Sequence, residues 1–325
     1  MNRGAVKRIA LIVLAIIVMS AFANLVGWGI RAWFEDLWDT ITTISAGYLV
    51  AAIVVMTLQT TATAYAWYTI LRFAYPHEVR FRIVFASYSV CVALNNILPA
   101  NLGTIVMFVM LTTLIASATF GGIVTGFLVE KIFFTVAAIF VYLYLFLSVP
   151  GSFDISFSWI KENPWATAVL VVGSAGGQVL LHPGTYFGRV FLPEFVSWAS
   201  GLGITAIFMD AYGIPVTFHT IMSVTGSNSI ANTVAVTPGG AGVQQVFNVA
   251  ALSDVTDSQT ATAFSVSQQL VSTAWHIGMA VVLVIWVFGW VGGKTLVAES
   301  YAEAKRRAEE QKAAREAGRA AEDPV

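Results

Sequence analysis

Hydrophobic positions in this chain come in long unbroken runs rather than in the one-face pattern of a soluble helix or the alternation of a half-buried strand. Ile9 to Ile30 is interrupted only by Ser20 and Asn24. A second run extends from about Ile41 to Leu71. Ile83 to Val149 is a longer stretch whose only charges are Glu130 and Lys131. Trp165–Leu181, Phe195–Ala211, Val216–Leu252 and about Thr260 to Val291 follow. A membrane-spanning helix needs ~20 apolar residues, or about 30 with its connection. Residues 1–293 therefore have room for roughly eight to ten crossings at that spacing.

The polar positions between the runs report sidedness. Arg3, Lys7 and Arg8 precede the first run, and Arg72, Arg80 and Arg82 outnumber Glu78 after the second. Both flanks read as cytoplasmic under the positive-inside rule. The intervening loop is acidic, with Glu35, Asp36 and Asp39 beside Trp33, Phe34 and Trp38. His182 and Arg189 mark another expected cytoplasmic loop, and Asp254 and Asp257 a short acidic one. Lys294, Lys305, Arg306 and Arg307 place the C-terminal flank inside, so the number of crossings is even. Ala21-Phe22-Ala23 fits a small-x-small cleavage pattern. The run continues past it to spanning length, and cleavage would break the parity, so an uncleaved first helix is expected.

Composition narrows the class. Of 325 residues, 57% are hydrophobic and 11% charged, against about 25% charged in a soluble domain. Seven basic and seven acidic side chains fall between Lys294 and Val325, which leaves ten and eleven across residues 1–293. That is too little charge to cover a water-soluble surface, and it excludes a soluble enzyme, a nucleic-acid binder and a disordered chain. Cys91, the single cysteine, rules out a disulfide framework and a cysteine zinc cluster. Neither metal-ligand spacing nor a phosphate-binding loop appears. No catalytic, metal or cofactor site is expected, and ATP hydrolysis is not part of the reading.

Two of the uncharged stretches share a break. The first reads Asn95-Asn96-Ile97-Leu98-Pro99-Ala100-Asn101-Leu102-Gly103. The second reads Asn232-Thr233-Val234-Ala235-Val236-Thr237-Pro238-Gly239-Gly240-Ala241-Gly242. Each has an Asn, then a Pro, then a Gly four positions after the Pro. Pro removes a backbone donor and Gly permits a sharp turn, so a helix ends there. At membrane depth the freed backbone groups must be satisfied by protein or trapped water, and Asn side chains offer donors and acceptors. The loop charges bring the first stretch in from the cytoplasmic side and the second from the opposite side. Interrupted helices at matching positions of two halves are the best sequence pointer to a transport site.

These motifs carry a family resemblance. Asn96-x-x-Pro99-x-x-x-Gly103 and Thr237-Pro238-Gly239-Gly240-Ala241-Gly242-Val243 resemble the two signatures of the lysylphosphatidylglycerol synthase transmembrane-domain family, the flippase-like integral membrane proteins. Glu130-Lys131 resembles that family's acidic–Arg pair on a middle helix. The resemblance covers roughly residues 8–293. It implies a multi-helix domain that binds or moves phospholipid or another lipid-linked substrate. Three positions depart from the family pattern: Thr104 and Gln244-Gln245 stand where the family places Glu, and His276 where it has Arg.

Together these readings predict an all-α, polytopic transmembrane helical bundle. It has about six full spans and two broken, re-entrant-like helix hairpins in an inverted-repeat arrangement (1–293), then a charged cytoplasmic tail (294–325). The tail lacks an apolar stripe and is expected to be a solvated, partly helical appendage with pairs such as Glu303–Arg307. Localisation in a bacterial or archaeal cytoplasmic membrane, with both termini inside, follows. The expected activity is translocation of a phospholipid or lipid-linked polar substrate, with an ion as candidate coupling partner. A non-transporting membrane scaffold or partner subunit, and a membrane-embedded transferase on a lipid-linked donor, are the alternatives.

Candidate substrate-binding residues are Asn95, Asn96, Asn101, Glu130, Lys131, Asn228, Asn232, Gln244, Gln245 and His276. Pro99, Gly103, Pro238, Gly239, Gly240 and Gly242 are expected to shape the breaks. Adjacent on a helix, Glu130 and Lys131 point about 100° apart and are not expected to pair with each other. Gln268 and Gln269 read as helix-packing polar residues.

Overall fold

The computed structural model describes residues 44–98, 101–148, 175–234, 242–289, 292, 295–307 and 309–310. Several expectations lie outside the described residues: the first apolar run, the breaks at Pro99 and at Pro238-Gly239-Gly240, most of the Trp165–Leu181 run, the side chain of Asn232 and the end of the tail.

Among the described residues the structure is all-helical. Four helices are long and apolar enough to cross a membrane: α1 (Ala46–Ala74), α4 (Phe120–Ser148), α5 (Pro183–Ala211) and α8 (Ser258–Phe288). Four are shorter: α2 (Phe81–Ile97), α3 (Leu102–Leu114), α6 (Phe218–Val234) and α7 (Val243–Leu252). Asp257 caps α8 by accepting from the Thr260 N–H at 2.9 Å. Hydroxyls in α1 are satisfied internally: Thr57, Thr60, Thr61 and Thr69 each donate to the carbonyl one turn earlier.

The surface is inverted relative to a soluble bundle. Val50, Val54 and Leu58 on α1, Val136, Phe140 and Leu143 on α4, and Val282 and Trp286 on α8 are all exposed. At this spacing they form apolar stripes on outward faces, which suits contact with lipid chains. Inside, Trp67, Leu71, Cys91, Met107, Phe108, Leu111 and Ile123 join α1, α2, α3 and α4 in one buried cluster.

Helices α2 and α3 form a hairpin. Glu78, just before α2, accepts a hydrogen bond from the backbone N–H of Ser117, just after α3, at 3.0 Å. The chain therefore leaves and returns on the same side. Gly103 makes the close approach possible, because a Cβ there would meet the Cys91 carbonyl oxygen at 2.4 Å and the Asn95 backbone nitrogen at 2.8 Å. Asn101 enters α3 from the left-handed region, with φ 54°. Helices α6 and α7 pair likewise, with Ser227 Oγ donating to Asn248 Oδ1 at 3.2 Å.

Two sequence expectations need correction. The span expected to begin at Phe195 begins at Pro183 instead, with Pro at the first helical turn. Arg189, expected in a loop, lies in a turn of π-helix within α5. The tail also has a docked face. Residues 295–307 are helical, and Leu296, Val297 and Ala304 pack on Val90, Val106, Met110 and Ala280 of α2, α3 and α8. Arg307 lies over the Phe120 ring at 4.5 Å. The expected Glu303–Arg307 ion pair forms at 2.8 Å.

Candidate functional site

Helix α2 runs against α8, and this contact brings two predicted site residues together. Asn96 Nδ2 lies 3.2 Å from His276 Nδ1. On one side of the pair is a cavity of about 210 Å³ lined by the amides of Asn96, Asn228, Gln244, Asn248, Gln268 and Gln269, with the hydroxyls of Ser265, Ser272 and Thr273. A larger cavity of about 560 Å³ shares Asn228 and Gln268 with it and is lined by His276, Thr63, Tyr88 and Ser197. A separate apolar groove of about 430 Å³ starts at Ile97 and Ile277, the residues next in sequence to the pair. It runs between α2 and α8 past Val90, Ala93 and Val284 to Val297 and Tyr301 of the docked tail helix.

The amides are oriented by a network. Asn248 accepts from Ser227 and donates to Ser265 Oγ at 2.9 Å. Gln245 Nε2 donates to Gln269 Oε1 at 2.8 Å, while Gln245 Oε1 accepts from the Gly242 N–H at 2.6 Å and so closes the start of α7. Asn228 Oδ1 is buried and has no hydrogen-bond partner among the described residues. A buried amide oxygen in this state is an unused acceptor, and Asn228 itself lines both cavities.

The remaining predicted residues are elsewhere. Asn95 serves the α2–α3 hairpin, donating to Thr104 Oγ1 at 3.1 Å. Asn101 is exposed at the head of α3. Glu130 is buried on α4, and Lys131 pairs with it, contrary to the expectation: Lys131 Nζ lies 3.1 and 3.0 Å from the two carboxylate oxygens. The 100° offset is overcome by the length of the lysine side chain. Its ammonium lies over the rings of Phe127 and Phe134, at 4.9 and 4.7 Å, residues one turn to either side. Neither Glu130 nor Lys131 lines the amide cavity.

Sequence reading missed Asn248 and Glu194. Asn248 lies one turn beyond Gln244, so the i,i+4 spacing was a usable signal. Glu194, one residue before the span expected from Phe195, is fully buried in α5. Thr63 Oγ1 lies 3.3 Å from Glu194 Oε2 and 2.7 Å from Ser197 Oγ. Among the described residues no group of three or more His, Cys, Asp or Glu is placed to hold a metal ion.

No protein-family model matches the chain, and no curated protein matches it significantly.

Proposed function

We propose that the protein binds a phospholipid or lipid-linked polar molecule at the Asn96–His276 junction and moves it across the membrane without ATP hydrolysis. One observation carries the reading: an apolar groove and an amide-lined cavity are both lined by α2 and α8, the helices that the Asn96–His276 contact joins. An acyl or isoprenoid chain fits the groove, which has almost no polar lining. A polar head group fits the cavity, where Asn228 Oδ1 is an acceptor awaiting a donor. The combined space is in the range of small-molecule sites.

In this reading the α2–α3 and α6–α7 hairpins dip into the membrane from opposite faces, so that both deliver amides to one central site. A site of neutral amides suits a head group rich in hydroxyls better than one with a high net charge.

The test is transfer of fluorescent phosphatidylglycerol between leaflets of reconstituted vesicles, followed by reductant quenching. Transfer should depend on the protein and fall about five- to thirty-fold in Asn228→Ala or Asn96→Ala, the effect of losing one or two kcal/mol of head-group hydrogen bonding. Transfer equal to protein-free vesicles, together with no lipid retained by the purified protein, would refute the proposal.

A further inference from the structure

The buried charges on α4 and α5 do not balance. Glu130 is 2% and Glu194 0% exposed, and Lys131 is the one cation that reaches them among the described residues. Its ammonium contacts both oxygens of Glu130, which matches that charge. Glu194 has no such cation: Oε1 has no hydrogen-bond partner among the described residues, and Oε2 has only the Thr63 hydroxyl. The two carboxylates also act electrostatically on one another. An ionised, unpaired carboxylate in such a place is too costly to persist and is neutralised instead.

Among the described residues, the groups facing Glu194 supply no alternative cation. From α4 these are Glu130 and Lys131, from α2 Tyr88, and from the first turn of α5 Tyr186. Thr63 of α1 and Ser197 of α5 are hydroxyls. Arg189 is exposed, and His276 of α8 lies along the shared cavity wall.

We infer that Glu194 is a proton-binding site served from the larger cavity by a two-hydroxyl relay through Ser197 and Thr63. Both hydroxyls line that cavity. Thr63 has one hydroxyl proton but three oxygen neighbours, Ser197 Oγ at 2.7 Å, Glu194 Oε2 at 3.3 Å and the Tyr88 hydroxyl, which can donate to Thr63 in either state below. The chain of three oxygens closes in two ways. With Glu194 ionised, Ser197 donates to Thr63 and Thr63 donates to the carboxylate. With Glu194 protonated, the carboxyl O–H donates to Thr63 and Thr63 donates to Ser197. A proton arriving at Ser197 from cavity water converts the first state to the second. Ser197 keeps the arriving proton and passes its own to Thr63, which passes its own to Glu194. One proton enters, one carboxylate becomes a carboxylic acid, and every hydroxyl keeps one hydrogen. This inference does not depend on the lipid reading.

Infrared spectroscopy of the full chain in vesicles tests it without any transport substrate. The carbonyl band of a protonated carboxylic acid should be present at neutral pH, shift in heavy water and disappear entirely in Glu194→Gln. Gln is isosteric with the protonated acid, so that variant should fold with unchanged helicity. Thr63→Val should keep the band, displace its frequency because the hydroxyl partner is gone, and slow its exchange with heavy water. Absence of the band in the unmodified protein, its survival in Glu194→Gln, or unchanged exchange in Thr63→Val would overturn the inference. Loss of the band on adding sodium at constant pH would also overturn it, because the occupant would then be a metal cation. Failure of lipid transfer with the band intact would count against the proposed function alone.

Discussion

Asn96 and His276 are 180 positions apart in the chain and meet at 3.2 Å, amide nitrogen to ring nitrogen, Asn96 lining one polar cavity and His276 the other. An amide nitrogen only donates, so this bond forms with the His276 tautomer whose Nδ1 carries the lone pair. The contact ties the tip of one hairpin to the middle of a spanning helix. A double-mutant cycle of Asn96→Ala and His276→Ala, read by unfolding in mixed micelles, should give a coupling of about 0.6 kcal/mol, the average for interhelical polar pairs in membranes. Strict additivity would show that the pair exchanges its bond for water at no cost.

Gly103 should tolerate no side chain. Its Cβ would strike backbone atoms of α2 at 2.4 and 2.8 Å, and backbone cannot move aside as a flexible side chain can. Gly103→Ala should destabilise the protein by about 1–3 kcal/mol, as overpacking does. Gly121, with nothing within 4 Å of its Cβ position, is the internal control. Gly121→Ala should be neutral or stabilising by up to about 1 kcal/mol through helix propensity. Thermal unfolding of the two variants side by side makes the comparison.

Acid should loosen the base of the first hairpin. Backbone N–H donation from Ser117 holds the Glu78 carboxylate below the usual range. A group whose folded value is depressed stabilises the folded state above its unfolded value, ~4.3 for Glu, and loses that contribution as pH falls through the folded value. The protection factor of the Ser117 amide, its exchange relative to the intrinsic rate at each pH, should therefore fall on acidification below about pH 4. Glu78→Gln should show a flat profile over the same range.

The docked tail helix should depend on one small residue. Ala304 is fully buried against α2, α3 and α8, so Ala304→Glu would bury a charge without a partner. Trypsin should then cleave at Arg306 and Arg307 faster than in the unmodified protein. Truncating Arg307 to Ala should have a smaller effect, because it removes a cation–π contact worth about 0.5–1 kcal/mol at an exposed site. Equal cleavage in all three proteins would show that the helix is not held by this face.

The sequence by itself determined the secondary structure and its setting. Runs long enough to span, and too few charges to coat a soluble surface, dictate apolar helices. Ahead of the Asn-Pro-Gly break, α2 ends at Ile97. These are local properties, set by the length of a run and by backbone freedom at single residues. The tertiary structure decided what the polar residues do. Six amides from four helices converge on one cavity while Asn95, of the same type and adjacent to Asn96, faces its own hairpin. Lys131 curls back onto its neighbour, its ammonium held over the rings of two phenylalanines. Glu194, which on the sequence looks like an ordinary loop-edge acid, is buried because α5 begins eleven residues earlier, at Pro183, and packs along α1. Such outcomes depend on which faces meet, and hydrophobic runs without a polar stripe leave the rotation of each helix open until its neighbours pack against it.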